Sequence, residues 1–480
     1  MALTTEQQQV ITEITKEDVK LVKVEACAGS GKTHTLVEVA NVLNPSSGIY
    51  LAYNKAIAEE AGKKFTGTAV KCSTLHSLAY RAIVRQWGLQ VGWFNPRDVV
   101  ADDLDYKGKK QVVSVLDKFL NSNSVDAKGY CETNKISEAT KYYVMEHLDM
   151  MANGVIASPH SFYLKMYHIL LVTEGIPAPE TDLLLLDEAG DVNAVTLDIF
   201  THIKAKKKVM VGDASQNIYQ FNHTINGFQV LKDEGVTVKL TRSFRVSDVI
   251  ASRIEKFMQT NIDTSFDFKG RSYPVDHVPV TKGYISRNNT GLVEEMLRLQ
   301  EDNICFHTTR KAELIIELPL VLANLGNGKK IENSKFKHIE ALRASWEKQS
   351  KDPVFTTQYS TPLKYAKSKL QEDDEFNYGV DLLTKYTPRK INSLIKYAAE
   401  CAKKPSTLIL STGHSSKGLE FDAVEIAPDF NVALTKAKKN LKEATKTNNI
   451  KAIEAASSEF LLYYVACSRA MVELINAKHL

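Results

Sequence analysis

Eight consecutive residues, Ala26-Cys27-Ala28-Gly29-Ser30-Gly31-Lys32-Thr33, have the spacing of a loop that holds phosphate, with Ala26 at the place of the usual first glycine. A phosphate needs backbone N–H donors that no side chain shields. A run of small residues leading into a helix N-terminus supplies them. In such a loop Ala28, Gly29, Ser30 and Gly31 offer backbone, Lys32 reaches the β- and γ-phosphates, and the Thr33 hydroxyl ligates Mg²⁺. A tight turn that matches by chance is the alternative for the loop alone. A second candidate is the acidic pair Asp187-Glu188, which follows four leucines, Leu183 to Leu186. Asp187 would hold Mg²⁺, and Glu188 would orient and deprotonate an attacking water. Alone, such a pair is a solvated strand end. Together the two patterns describe a nucleoside triphosphatase and leave open what hydrolysis drives.

The elements that must position these residues can be read from the pattern of apolar runs. Lys20–Ala26 is β-rich, the loop follows, and the chain from Thr33 onward has a helical pattern. Further buried strands are expected at 48–53, 69–73, 183–187, 208–212 and 238–240, with helical segments between them. A continuous apolar run such as the four leucines suits a parallel strand covered on both faces. The rhythm stops between 88 and 165, a polar and helical stretch, and resumes with strands at 283–286, 303–307, 407–412 and 423–427. That second set is split by a lysine-rich helical segment. The expected organisation is therefore α/β with parallel sheets. One domain comprises 1–87 and 166–280 with an insertion at 88–165; the other comprises 281–324 and 401–480 with an insertion at 325–400. No internal repeat is evident.

Composition sets broad limits. A chain of 480 residues exceeds one compact core, which predicts several domains. A net charge of +4 permits nucleic-acid binding without arguing for it. No apolar stretch reaches the roughly 18 residues of a membrane span. The N-terminus lacks the basic and apolar regions of a secretion signal. Six cysteines are scattered with no C-x-x-C pair, which predicts reduced thiols, no zinc site and no disulfide framework. These features predict a cytoplasmic protein. The lysine runs 204–208 and 436–446 are expected to be solvated faces.

Beyond these residues, an ordered series of short segments resembles the UvrD/Rep type of superfamily 1 DNA helicases. LTTEQQQVI near the start is similar to that family's adenine-reading segment. YLAYNKAIAEE (50–60) resembles motif Ia, STLHSLAY (73–80) motif Ib, and DEAGD (187–191) motif II. VGDASQNIYQF (211–221) resembles motif III, LTRSFRVS (240–247) motif IV, STGHSSKGLEFDAV (411–424) motif V and YYVACSRA (463–470) motif VI. HSFYLKMYHI (160–169) and LTRSFR are nearest to the motor portion of F-box DNA helicases and their phage and bacterial relatives.

The resemblance implies two RecA-like domains and an ATP- and Mg²⁺-dependent motor. It implies that Gln7 reads adenine, Phe244 stacks on it, and Glu420 binds the ribose. Gln216 becomes a γ-phosphate sensor, and Arg245 and Arg469 become cations that complete charge neutralisation when a cleft closes. Asn54, Lys55, Thr74, His76, Thr412 and His414 take the positions of nucleic-acid backbone contacts, and Tyr219 and Phe221 those of base stacking. His76 could equally be a partly buried histidine with a structural role. The implied function is 3′→5′ translocation on single-stranded DNA with unwinding of duplexes. A translocase that strips bound proteins and unwinds little is the alternative, and a non-motor ATP-binding module the third. Implied partners are single-stranded DNA, duplex junctions and replication or recombination proteins, acting on a monomer. Two departures stand out: Gly190 replaces the family's motif II glutamine, and Asn222, His223 and Thr224 replace the usual R-G-A after motif III.

Overall fold

The computed structural model describes residues 3–480 except 97, 102, 218–223, 273–279, 333–335 and 371–373; the side chains of 106, 374, 375 and 378 are also left aside. The chain divides into two compact units, Met1–Phe244 and Arg245–Leu480.

The first unit is built on six parallel strands: β1 (Leu21–Ala26), β2 (Gly48–Ala52), β3 (Val70–Thr74), β4 (Glu180–Leu186), β6 (Lys204–Gly212) and β8 (Val236–Leu240). Their order is β3-β2-β4-β6-β1-β8. A small antiparallel pair, β5 (Val192–Asn193) and β7 (Thr224–Ile225), lies apart from the sheet. The leucine run explains the layering. Leu183 and Leu185 join one core with Val22, Val24, Leu36 and Tyr50, while Leu184 and Leu186 join the other with Met210, Phe162 and Phe200. Alternate side chains thus bury into opposite layers, as a doubly covered strand requires. The helices between β3 and β4 hold a small core of their own around Val112, Val115, Leu116 and Val144. Phe119, Leu120 and Met151 tie them into the main core.

In the second unit five parallel strands, β11 (Lys282–Ser286), β12 (His307–Thr308), β13 (Leu408–Thr412), β14 (Phe421–Ile426) and β15 (Ala470–Ile475), run in the order β12-β13-β11-β14-β15. The strand expected at 303–307 is displaced to His307–Thr308. Asn303 has φ 55° and ends the helix Asn289–Glu301, so the extended chain starts later. Everything from Ala312 to Cys401 assigned to an element is helical, so the insertion begins before the expected residue 325. It carries its own core around Leu322, Leu325, Ile339 and Phe376.

Residues 245–280, expected to close the first domain, cluster with the second unit. Strand β9 (Arg242–Ser247) pairs with β10 (Lys269–Arg271). The helix Asp248–Asn261 between them sets Phe257 against Tyr463, ring centroids 5.2 Å apart. No helix among the described residues is long and apolar enough to cross a membrane.

Candidate nucleotide and nucleic-acid sites

The phosphate loop leaves the carboxyl end of β1, the edge where parallel sheets place ligands. Gly29 and Gly31 have φ of 75° and 81°, a left-handed backbone that side chains resist. Gly31 caps the helix Lys32–Leu43 without any side-chain bond, so the first amides of that helix are not covered by a capping side chain. Gly31 is also a meeting point. A Cβ there would stand 3.1 Å from Gln7 Nε2 and 3.5 Å from the Phe244 ring. Phe244 is fixed by its N–H, which donates to Gly29 O at 2.8 Å.

Gln7 is held at both ends of its amide. Oε1 accepts Thr4 N–H at 3.0 Å, and Nε2 donates to Thr35 Oγ1 at 3.1 Å. Each of these atoms has capacity for a second bond, one acceptor and one donor. Glu6 pins the same helix to the β8 end by accepting from Thr241 N and Oγ1 at 2.9 and 2.6 Å.

Asp187 follows β4 and is 6% exposed. Tyr50 Oη and Glu188 N–H both donate to it, the latter at 2.8 Å. Burial, then the Glu188 charge, pushes its carboxyl above the usual carboxylate range, while Tyr50 and the Lys32 ammonium pull it down. A buried carboxylate in that balance favours a cation. The Thr33 hydroxyl in the first turn and the Asp187 carboxylate are hard oxygen donors of the kind Mg²⁺ takes, so the residues fit that ion. Glu188 adopts φ 53°, a left-handed conformation unusual for a side-chain-bearing residue.

Between the β1 and β4 ends lies the end of β6. Asp213 there accepts Gln216 Nε2 at 2.8 Å, and Gln216 is 3% exposed. Two glycines allow the backbones after β4 and β6 to touch. A Cβ on Gly190 would meet Asp213 O at 2.5 Å, and one on Gly212 would meet Ala189 N and Gly190 N at 2.7 Å. A glutamine at 190 has no room in this packing.

In the second unit Arg245 Nε donates to Glu420 at 2.9 Å. Arg469 is 2% exposed and donates to Val465 O at 2.9 Å, Leu419 O at 3.3 Å and Ser468 Oγ at 2.9 Å.

The expected backbone-contact residues lie at strand ends. Asn54 follows β2 and caps the helix Lys55–Lys64 through Ile57 N at 2.9 Å. Lys55 extends into solvent beside Glu59. Thr74 ends β3, and its Oγ1 accepts Ser77 N–H at 3.1 Å and bonds Ser77 Oγ at 2.8 Å. Thr412 ends β13, and its Oγ1 accepts Ser415 N–H at 3.2 Å and bonds Ser415 Oγ at 3.1 Å. Ser73 and Ser411 each donate to the carbonyl of the following threonine, at 3.2 and 3.1 Å. Ser-Thr-x-His-Ser thus occurs twice, at 73–77 and 411–415, with one geometry. His76 packs edge-on to Tyr163 at 5.6 Å, and its buried Nδ1 has no hydrogen-bond partner. Burial, then the charge of His160, pushes it down to about 4. Tyr219, Phe221, Asn222 and His223 lie outside the described residues.

Comparisons with known proteins point to DNA helicases. The AAA domain family matches residues 7–222. F-box DNA helicase protein 1 of Schizosaccharomyces pombe is 25% identical, over 98% of this chain and 57% of the relative. F-box DNA helicase 1 of Gallus gallus is 24% identical, over 89% of this chain and 45% of the relative. The chain spans about half the length of the curated relatives it matches. The chain is thus similar to DNA helicases along most of its length.

Several residues that matter in this fold carry no signal in the sequence. Tyr50 looks like an ordinary buried strand residue, yet its hydroxyl binds Asp187. Asp213 and Thr35 hold the amides of Gln216 and Gln7. The doubled pentapeptide is too short to register as a repeat; only its position at two strand ends gives it meaning. The lysines of 204–208 resolve into structural ties as well as a solvated face. Lys208 Nζ donates to Thr201 O at 2.6 Å, Lys207 Nζ to Val19 O at 2.7 Å, and Lys206 pairs with Asp182 at 2.7 Å.

Proposed function

We propose that this chain is an ATP-dependent motor that moves 3′→5′ along single-stranded DNA and separates duplex DNA. The observation that carries the reading is the doubled Ser-Thr-x-His-Ser turn, one copy ending β3 and one ending β13. A motor that steps needs two holds on the strand, one on each moving body. Two identical hydroxyl-rich turns at the ligand-bearing edge of two parallel sheets supply chemistry suited to phosphate oxygens. The helicase names of the relatives support DNA as the strand.

In this reading Lys32 and the backbone of 28–31 hold the triphosphate, and Gln7 and Phe244 hold the base. Thr33 and Asp187 would hold Mg²⁺, which would supply charge neutralisation at the phosphates. Glu188 takes the proton of the attacking water. Its left-handed backbone sets the carboxylate at the strand end, next to Asp187. Gln216, held by Asp213, lies between the loop strand and the acidic strand and is suited to sense the γ-phosphate. Arg245 and Arg469 are proposed as the cations that complete hydrolysis, Glu420 as the ribose ligand, and Asn54, Lys55, Thr74, His76, Thr412 and His414 as backbone contacts. Duplex junctions, replication or recombination proteins as partners, and action as a monomer belong to the same proposal.

The test is unwinding of forked duplexes that carry only a 3′ or only a 5′ tail, with ATP and Mg²⁺. Unwinding confined to the 3′-tailed substrate is expected. Unwinding of the 5′-tailed substrate alone overturns the polarity. Displacement of streptavidin from tailed strands with no unwinding would assign the chain as a protein-stripping translocase.

A further inference from the structure

The helical insertion of the second unit is flanked by two cysteines. Cys305 directly precedes Phe306 and β12, and Cys401 is the last residue of the helix Pro388–Cys401. Between them the chain runs through every helix of the insertion and returns to the sheet at β13. Their thiols meet, with Sγ atoms 2.9 Å apart. The exit segment is already clipped to the entry strand beside them: Ser406 Oγ donates to Cys305 O at 3.0 Å, and His307 Nε2 lies 2.9 Å from Lys404 O. Cys401 is buried and Cys305 is half-buried. Phe306, Ala398 and Leu394 pack in one core beside them, so this root belongs to the sheet domain as much as to the insertion.

We propose that Cys305 and Cys401 form a peroxide-sensitive pair whose oxidation to a disulfide locks the root of the insertion to the sheet. The geometry favours it on two counts. Closing the sulfurs from 2.9 Å to the roughly 2.0 Å of a disulfide needs under about 1 Å of movement. The two sulfurs also divide the chemistry by exposure. Burial pushes the Cys401 thiol up, and Cys305, the more exposed of the two, meets the oxidant first.

The oxidant is hydrogen peroxide. The Cys305 thiolate attacks one peroxide oxygen; the S–O bond forms, the O–O bond breaks, and the departing hydroxide takes a proton to leave as water. Cys401 Sγ then attacks the sulfenic sulfur. The S–S bond forms, the S–O bond breaks, and the second hydroxide leaves as water with the Cys401 proton. Two electrons pass from the thiols to the peroxide, and a dithiol reverses the step. The bond would close a loop that contains the whole insertion and tie its two ends together at the sheet.

The experiment treats the full chain with a small excess of peroxide, alkylates it, and maps peptides without reduction. The expected product is one linked peptide joining Cys305 to Cys401, lighter by about 2 Da than the two reduced peptides. Titratable thiols fall from six to four and return on treatment with dithiothreitol. Hydrogen exchange of the amides at 395–401 slows several-fold in the oxidised form. Cys305→Ser abolishes the linked peptide. Cys401→Ser leaves Cys305 as a sulfenic acid that dimedone traps. Because Cys401 is buried, its variant is read beside Cys305→Ser, whose half-exposed site tolerates the change. Oxidation that consumes Cys72 first and leaves Cys305 and Cys401 reduced would overturn the proposal. So would a linked peptide with unchanged exchange at 395–401, since the bond would then lock nothing.

Discussion

The turn after β1 and the turn after β11 use the same backbone chemistry to opposite ends. After β1 two left-handed glycines lead into a helix whose first amides no side chain caps. After β11, the middle strand of the second sheet, the comparable donors belong to Arg287, Asn288 and Ser286. Asp429 takes them all: Ser286 Oγ donates at 2.7 Å, Arg287 N at 3.0 Å and Asn288 N at 3.3 Å. Gly291 makes room, since a Cβ there would lie 2.5 Å from Asp429 Oδ2. One unit leaves the seat uncapped by any side chain, as the proposed function requires, and the other fills it with a carboxylate of its own. A strand-to-helix turn is thus a site or a joint according to what the neighbouring helix brings to it. The Asp429 side chain comes from the start of the helix Asp429–Lys446.

The largest effect should come from the open seat. Lys32→Ala should lower ATP hydrolysis by roughly 10²–10³-fold, the scale of removing one preorganised donor from a developing charge. Thermal melting should be unchanged; phosphate release and circular dichroism read the two quantities. At the filled seat the effect should be structural. Asp429→Ala removes the acceptor that Arg287 N, Asn288 N and Ser286 Oγ share, leaving Ser286 Oγ and Asn288 N only the bonds between those two residues, a cost of about 3 kcal/mol to the second unit. Urea unfolding measures it, and nucleotide affinity should stay unchanged. Equal loss of nucleotide affinity in Asp429→Ala would break the distinction between the two turns.

Next in size is a pH effect that separates the two Ser-Thr-x-His-Ser turns. His76 is held down to about 4 from an ordinary 6.5, so its protonated form favours the unfolded chain. The stability it contributes is present above pH 6.5 and is lost as pH falls toward 4. Between pH 7 and pH 5 the first unit should lose about 2 kcal/mol, and His76→Asn should flatten that slope. The smallest effect is the shared one. Thr74→Val and Thr412→Val each remove a turn bond of about 1 kcal/mol. Each should weaken binding to an oligothymidylate several-fold, read by fluorescence anisotropy. A loss confined to one variant would mean that the two turns do not share a job.

How far the sequence carried the account varies by feature, for physical reasons. The four leucines predicted a strand covered on both faces, and their alternate burial follows from the two-residue period of a strand. The domain boundary was harder. In the helix Asp248–Asn261 the apolar residues Ile250, Ile254, Phe257 and Met258 mark a buried stripe, but a stripe does not name its partner. Phe257 packs on Phe460 and Tyr463, far along the chain, and this draws 245–280 into the second unit. The phosphate loop was legible because its chemistry is carried by consecutive residues. Tyr50 was not, because only the parallel pairing of β2 with β4 brings its hydroxyl to Asp187. Gly190 read as a departure from the family pattern. Its cause is the Asp213 carbonyl, which fills the place of a Cβ.

The most direct test measures steady-state ATP hydrolysis by the full chain with and without single-stranded DNA, beside Lys32→Ala. The account predicts hydrolysis that rises several-fold with the strand in the native chain and is lost in the variant under both conditions. Hydrolysis that ignores the strand, or that survives the loss of Lys32, would contradict a strand-driven motor powered from the loop after β1.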